Sequence, residues 1–206
     1  CDAFFMPTDV TELVLAQYPD EKEFRKAVGI ARKGVVAGKV RIVRDGAGTY
    51  HPIEAQFIRP EVHSLMQIDR PVVLARHLDR VVVLVKAPLL AIKGTHAYTY
   101  IKHGEVATYA STKSKAVPVP QRSTCAARDP WYDLTKLVDP GFAFWPKSQQ
   151  YRHIIPGNPH KIVCNCNLYD LGAKELSRQE QQALVAICNS TMIGLFKTFY
   201  GRYAGT

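Results

Sequence analysis

Ile30-Ala-Arg-Lys-Gly-Val-Val-Ala-Gly-Lys-Val-Arg-Ile-Val-Arg44, closed by Asp45-Gly46-Ala47-Gly48, is the segment on which the fold class turns. Its β-branched residues, interrupted by two glycines, predict strand and loop, and Asp45-Gly46-Ala47-Gly48 predicts a hairpin-type turn into a second short extended stretch. Upstream, the first thirty residues are amphipathic and helical in pattern. Thr8-Asp9 offers a cap before Leu13, Val14 and Tyr18; Pro19-Asp20 restarts a short helix through Phe24 to Val28, and Gly29 ends it. Downstream, residues 54–66 predict a short helical or irregular segment around Phe57-Ile-Arg-Pro60, Val81–Lys86 a strand, and Pro88 to His103 a short helix ending at Gly104. Residues 106–124, with Lys113, Lys115, Pro118, Pro120 and Arg122, read as an exposed loop. Short strands are expected over 142–170. The chain closes on a helix whose Ser177-Arg-Gln-Glu180 is a capping box. Leu184, Ile187, Cys188, Thr191, Leu195 and Phe199 then recur on one face of it. Helices and extended segments are thus interspersed with no βαβ rhythm, which predicts an α+β fold with irregular mixed sheets, short helices and a long C-terminal helix.

The 206 residues are 47% apolar and 22% charged, enough to bury a core and too little charge for disorder. No apolar run approaches the ~18 residues of a membrane span, and no secretory leader pattern opens the chain, so a soluble, cytoplasmic protein with no membrane partner is expected. The net charge of +9 rises from +1 over the first fifty residues to +3 in each of the last two quarters, without forming a tail. A folded surface with a distributed basic face suits a polyanion, of which nucleic acid is the commonest. The cysteines Cys1, Cys125, Cys164, Cys166 and Cys188 are odd in number and irregularly spaced, which argues against a disulfide framework. Cys164-x-Cys166 with His153 and His160 upstream lacks the paired spacing of a zinc site, and both thiols read more simply as half-buried small groups on a strand.

Catalytic motifs are missing. No G-x-G-x-x-G follows a strand, Gly34-x3-Gly38-Lys39 is one residue short of a phosphate loop and lacks its Ser/Thr, and no G-x-S-x-G or H-E-x-x-H occurs. The seven histidines, among them His63, His77, His96 and His103, show no triad or ligand rhythm. What remains is basic loops interleaved with aromatics. Arg32, Lys33, Gly34 and Lys39 sit on a glycine-bounded segment where cations and backbone N–H groups can meet phosphate oxygens, and Lys113 and Lys115 can do so from the long loop. Arg128 beside Trp131-Tyr132 can stack on bases, although large aromatics more often anchor a core.

Thr124-Cys-Ala-Ala-Arg128 followed by Trp131-Tyr-Asp-Leu134 resembles the C-terminal target-recognition domain of adenine-specific N6 DNA methyltransferases, the single-chain kind of restriction–modification systems. Further pieces follow in that family's order. Ala31-Arg-Lys-Gly34 with Gly38 resembles its early basic glycine loop, Phe57-Ile-Arg-Pro60 its short Arg-Pro segment, and Gly94-Thr95, Tyr100-Ile101 and Gly104-Glu105 its central helix. Tyr151-Arg152-His153 with Pro156 and Asn158-Pro159, then Asn167-Leu-Tyr-Asp-Leu171, resemble its late strands. Leu184-Val-Ala-Ile187, Asn189-Ser-Thr191 and Gly201-Arg202 resemble its last helix and exit.

The resemblance runs from about residue 30 onward and implies residues 1–29 as a helical N-terminal segment and 30–206 as a DNA target-recognition domain, a fragment of a larger methyltransferase. It implies double-stranded DNA as partner, contacted by Arg32, Lys33, Gly34, Lys39, Lys113, Lys115, Arg128 and Arg152. It also implies an S-adenosyl-L-methionine-binding catalytic domain, in cis or in trans, that holds the cofactor. This chain itself carries no cofactor motif, and Asp139-Pro-Gly-Phe142 lacks the second proline of the family's catalytic segment. After Gly38, Lys39-Val-Arg-Ile replaces the family's asparagine and acidic or aromatic run, which favours phosphate contact over base readout there. Two other classes stand beside this reading: a basic interaction or assembly domain meeting an acidic protein, and a small zinc enzyme using Cys164, Cys166 and the nearby histidines.

Overall fold

The computed structural model describes residues 2–109, 116–147 and 153–200; Lys113, Lys115 and Arg152 of the expected DNA contacts lie outside them. The fold is α+β, built of short helices and small separate sheets. The chain divides into two compact units, Cys1–Arg59 with Asp79–Leu137, and Pro60–Leu78 with Val138–Thr206.

The first unit opens with α1 (Asp2–Phe5), β1 (Thr8–Asp9), α2 (Thr11–Gln17), α3 (Glu21–Val28) and α4 (Arg32–Val36). Thr8-Asp9 is a strand rather than a cap, yet the Asp9 carboxylate still accepts from the Thr11 N–H at 2.9 Å. Asp20 caps α3 as expected, accepting from Lys22 and Glu23, and Gly29 closes it at φ 83°. The expected strand and loop over 30–44 is corrected in its first half, because Arg32–Val36 is helical. Isolated, a five-residue helix with two valines is unstable. Here Val35 is buried with Val10, Val14, Phe24, Val28 and Ile42, and the Arg32 N–H donates to the Glu21 carboxylate. Tertiary burial overrides the local preference.

β2 (Val40–Arg44) and β3 (Tyr50–Glu54) then pair antiparallel around the Asp45-Gly46-Ala47-Gly48 turn, with Arg44 opposite Tyr50. Residues 55–57 form one tight turn, and β4 (Ile58–Val62) is extended where an irregular or helical segment was expected. Its neighbour in this unit is β5 (Val81–Val83), with the Leu84 N–H donating to the Phe57 carbonyl.

Helix α5 (His96–Val106) is fixed at its start by two carboxylate hydrogen bonds. Glu54 accepts from the His96 and Ala97 N–H groups at 2.7 and 3.0 Å, and Thr95 caps Tyr98. The helix does not stop at Gly104. The Phe4 and Trp131 rings lie so close to that position that a Cβ there would stand 2.5 and 2.9 Å from them. The glycine permits close packing instead of breaking the helix. Tyr100 stacks on Phe4 at 4.6 Å and donates its hydroxyl to the Phe4 carbonyl. Helix α6 (Ser123–Ala126) and buried Tyr132 complete this core, so Trp131-Tyr132 serves as an anchor.

In the second unit, β6 (Ala143–Pro146) pairs antiparallel with β8 (Leu168–Leu171), while β7 (Val163–Cys164) lies parallel to the end of β4. The C-terminal helix is two helices, α7 (Arg178–Cys188) and α8 (Thr191–Tyr200), bent by 55°. The break is chemical. The Asn189 amide donates to the Ile155 and Val185 carbonyls and its oxygen accepts from the Ile155 N–H, while Ser190 accepts from Ile193 and so starts α8. Asn189 therefore fills a polar gap within the chain. The capping box of Ser177 and Glu180 forms as expected. The apolar face buries only in part: Leu184 and Cys188 pack against Phe142, Ala143 and Ile155, whereas Ile187, Leu195 and Phe199 are each more than half exposed. No single helix among the described residues is long and apolar enough to cross a membrane; only the bent α7–α8 pair passes by length and composition.

Candidate functional site: a basic turn and a buried aspartate with two histidines

The basic segment is a helix followed by a tight return. Lys33 on α4 and Lys39 in the turn just before β2 are both exposed, and Gly38 between them takes φ 70°, a left-handed conformation that an L side chain rarely adopts. Arg32 is half-buried and donates to the Leu15 carbonyl at 3.4 Å, so its guanidinium is partly committed to the fold. Gly34 sits inside α4. Arg41 faces Asp9 at 2.8 Å and is neutralised locally.

Arg128 is differently placed. Its guanidinium lies over the Phe5 ring at 4.9 Å, and one Nη donates to the buried Cys125 sulfur at 3.1 Å. Of the expected contacts that fall among the described residues, two cations face solvent, one is half engaged and one, half-buried, packs over Phe5 and against Cys125.

A second constellation draws on three elements of the first unit. Asp45 lies in the turn after β2, His51 on β3, and His103 near the end of α5. The Asp45 side chain is fully buried. Its Oδ1 accepts from the Ala47 and Thr49 N–H groups at 3.0 and 2.9 Å. Its Oδ2 accepts from the Tyr109 hydroxyl at 2.9 Å and faces His51 Nε2 at 3.2 Å and His103 Nε2 at 3.4 Å. The imidazole rings sit 4.6 Å apart. Burial pushes the Asp45 carboxyl up, but the Thr49 N–H, the Tyr109 hydroxyl and His51 outweigh it and hold the group below its usual range. Burial, reinforced by the charge of His103, holds His51 below the ordinary histidine value despite Asp45. The Tyr109 hydroxyl is pushed up, first by burial and then by Asp45, so it stays a proton donor.

Among the described residues this is the only group of three His, Cys, Asp or Glu donors that converges. The C-x-C pair and the histidines upstream of it do not. Cys164 donates its thiol to Asp170 at 3.1 Å, Cys166 and His160 are exposed, and His153 Nε2 meets the Cys188 carbonyl at 2.6 Å. Sequence reasoning passed over Asp45 as a turn residue and His51 and His103 as isolated histidines. The one signal available was the phase of α5, where Ala97, Tyr100, Ile101 and Gly104 form the buried face on which His103 borders.

The second unit holds a cavity of about 650 Å³ between Pro71, Phe142, Gly157 and Val185, with Lys161 and Arg178 also lining it. No family model matches the chain, and no curated protein and no solved structure matches it either.

Proposed function

We propose that the chain is the DNA-recognition part of a site-specific adenine-N6 methyltransferase of a restriction–modification system, gripping duplex DNA while an S-adenosyl-L-methionine-binding domain performs the methyl transfer. The observation that carries the reading is the pairing of Lys33 and Lys39 as exposed cations about one glycine turn, in a stretch with no acid from residue 30 to residue 44. Two ammonium groups there attract phosphate oxygens, and each phosphate neutralised releases counterions. The net charge of +9 and the ordered resemblance from residue 30 onward support the same conclusion. In this reading Arg128 shapes the domain and does not touch bases.

The test is duplex binding across a salt series, begun at low salt because the catalytic half contributes part of the grip. Binding that weakens steeply with salt is expected, and Lys33→Ala and Lys39→Ala should each lower the slope of log affinity against log salt by about 1. Absent or salt-insensitive duplex binding overturns the reading.

One observation favours a second reading, a basic protein-interaction or assembly domain. Met192, Leu195, Phe196, Phe199 and Tyr200 expose a contiguous run of apolar side chains on α8, a surface of the kind that protein partners cover. Nuclease-resistant capture of a protein together with no gel shift would favour it. A methyltransferase partner domain could cover the same face, so the gel shift decides between the two.

A further inference from the structure

We propose that Asp45 Oδ2, His51 Nε2 and His103 Nε2 form a binding site for one divalent transition-metal ion of the zinc class. The three donor atoms all lie within 4.8 Å of one another, and the carboxylate oxygen stands 3.2 and 3.4 Å from the two imidazole nitrogens. Ligands held ~2.0–2.1 Å from a tetrahedral zinc lie about 3.4 Å from each other, close to the spacing at which the carboxylate oxygen already stands from both imidazole nitrogens. Two imidazoles and one carboxylate are also a donor set suited to first-row transition ions and poor for calcium or magnesium, which prefer all-oxygen shells.

A hydrogen-bond network alone accounts for the cluster less well. Three groups crowd the single oxygen Oδ2, whose lone pairs accommodate two good donors. Tyr109 and His51 occupy them. The buried His103 Nε2 makes no hydrogen bond, although it points at the same oxygen. An ion between the three groups gives that nitrogen a partner and relieves the crowding.

The supporting shell is built as a metal site requires. Oδ1 is tied to the backbone of its own turn through Ala47 and Thr49, and Tyr109 donates to the ligating oxygen, which fixes the plane of the carboxylate. Glu54 on the N-terminus of α5 fixes the helix that carries His103 to the strand that carries His51. The ion would join turn, strand and helix at one point, a structural role independent of the DNA reading.

The experiment uses the untagged full chain, stripped with chelator and then titrated with Co²⁺ and Zn²⁺. Readouts are the visible absorption of bound cobalt, the metal-to-protein ratio and the thermal midpoint. One equivalent of cobalt with an intense d–d spectrum is expected, displaced by zinc, with a thermal midpoint that rises on zinc addition. His103→Gln is the main variant because its side chain is one-third exposed and the fold should survive, as circular dichroism would show. It should abolish the cobalt spectrum. Tyr109→Phe should weaken zinc about 10–100-fold while keeping the stoichiometry, as loss of a hydrogen-bond donor to a metal ligand does. Cobalt binding by a folded His103→Gln chain equal to that of the parent, loss of binding in Cys164→Ser/Cys166→Ser instead, or no stoichiometric binding by the parent overturns the proposal.

Discussion

Arg128 and the Lys33–Lys39 turn are both basic, both follow glycine- or alanine-rich sequence, and both belong to the segments that carry the family resemblance, yet the fold treats them in opposite ways. Arg128 lies over Phe5 and against Cys125, inside the aromatic assembly of Phe4, Phe5, Tyr100, Trp131 and Tyr132. Lys33 and Lys39 stand exposed on a short helix, of which only Val35 is buried, and on the turn that follows it. The difference teaches that a positive charge has two separate uses within one fold. A planar guanidinium can close an aromatic core, because it stacks on ring faces and is weakly hydrated. An ammonium on a flexible stem is kept in water, where it acts as a point charge toward phosphate.

The aromatic core should be the most fragile part of the molecule. Gly104→Ala places a methyl group 2.5 Å from Phe4 and 2.9 Å from Trp131, and the Phe4 ring is buried and stacked on Tyr100. Overpacking of this kind costs about 1–3 kcal/mol and the gain in helix propensity offsets about 1 kcal/mol of it, so denaturant unfolding of Gly104→Ala should show a net loss of up to about 2 kcal/mol. A variant as stable as the parent would mean that the core is loose and that Arg128 has room to swing outward.

Arg128→Ala comes next. Loss of the cation–π contact and of the cover over Phe5 should cost roughly 1–2 kcal/mol. Duplex affinity, measured well below the melting transition, should stay near that of the parent. Lys33→Ala and Lys39→Ala should show the reverse, with stability changed by less than about 0.5 kcal/mol and affinity reduced. An Arg128→Ala protein that melts like the parent but has lost its DNA affinity would erase the contrast.

Legibility in the sequence followed the range of the interactions. The α3 cap at Asp20, the Gly29 stop, the hairpin turn at Asp45–Gly48 and the Ser177–Glu180 capping box are set by residues within a few positions of one another, and each was readable. α4 was not, because its stability comes from burying Val35 beside residues as distant as Val10 and Ile42. Gly104 was read as a stop because nothing nearby announces that Phe4, a hundred positions earlier, needs its missing side chain. The break between α7 and α8 depends on Asn189 bonding to Ile155, again a distant partner. The same holds for the site. The basic segment is contiguous, so the sequence alone puts it forward as a candidate, whereas Asp45, His51 and His103 come together only when α5 docks on β3.

The contrast between built-in and open groups recurs within two residues at Cys164-Asn165-Cys166, and gives the smallest but sharpest test. Cys164 is half-buried on β7 and donates to Asp170, whereas Cys166 is exposed. Burial first, then the hydrogen bond and negative charge of Asp170, push the Cys164 thiol far above its ordinary value. The thiolate is the reactive form, so raising the pKa keeps Cys164 protonated across the neutral and mildly alkaline range. Pulsed alkylation at pH 8, resolved by tandem mass spectrometry, should label Cys166 first and Cys164 slowly. Asp170→Asn removes the negative charge and should speed the labelling of Cys164 while leaving Cys166 unchanged. Equal rates at the two positions in the parent chain would show that the thiol–carboxylate contact does not persist in solution. A protonated thiol is also a poor metal ligand, so slow labelling of Cys164 would weigh against the C-x-C pair as a zinc site and leave the histidine–aspartate cluster as the place to look for metal.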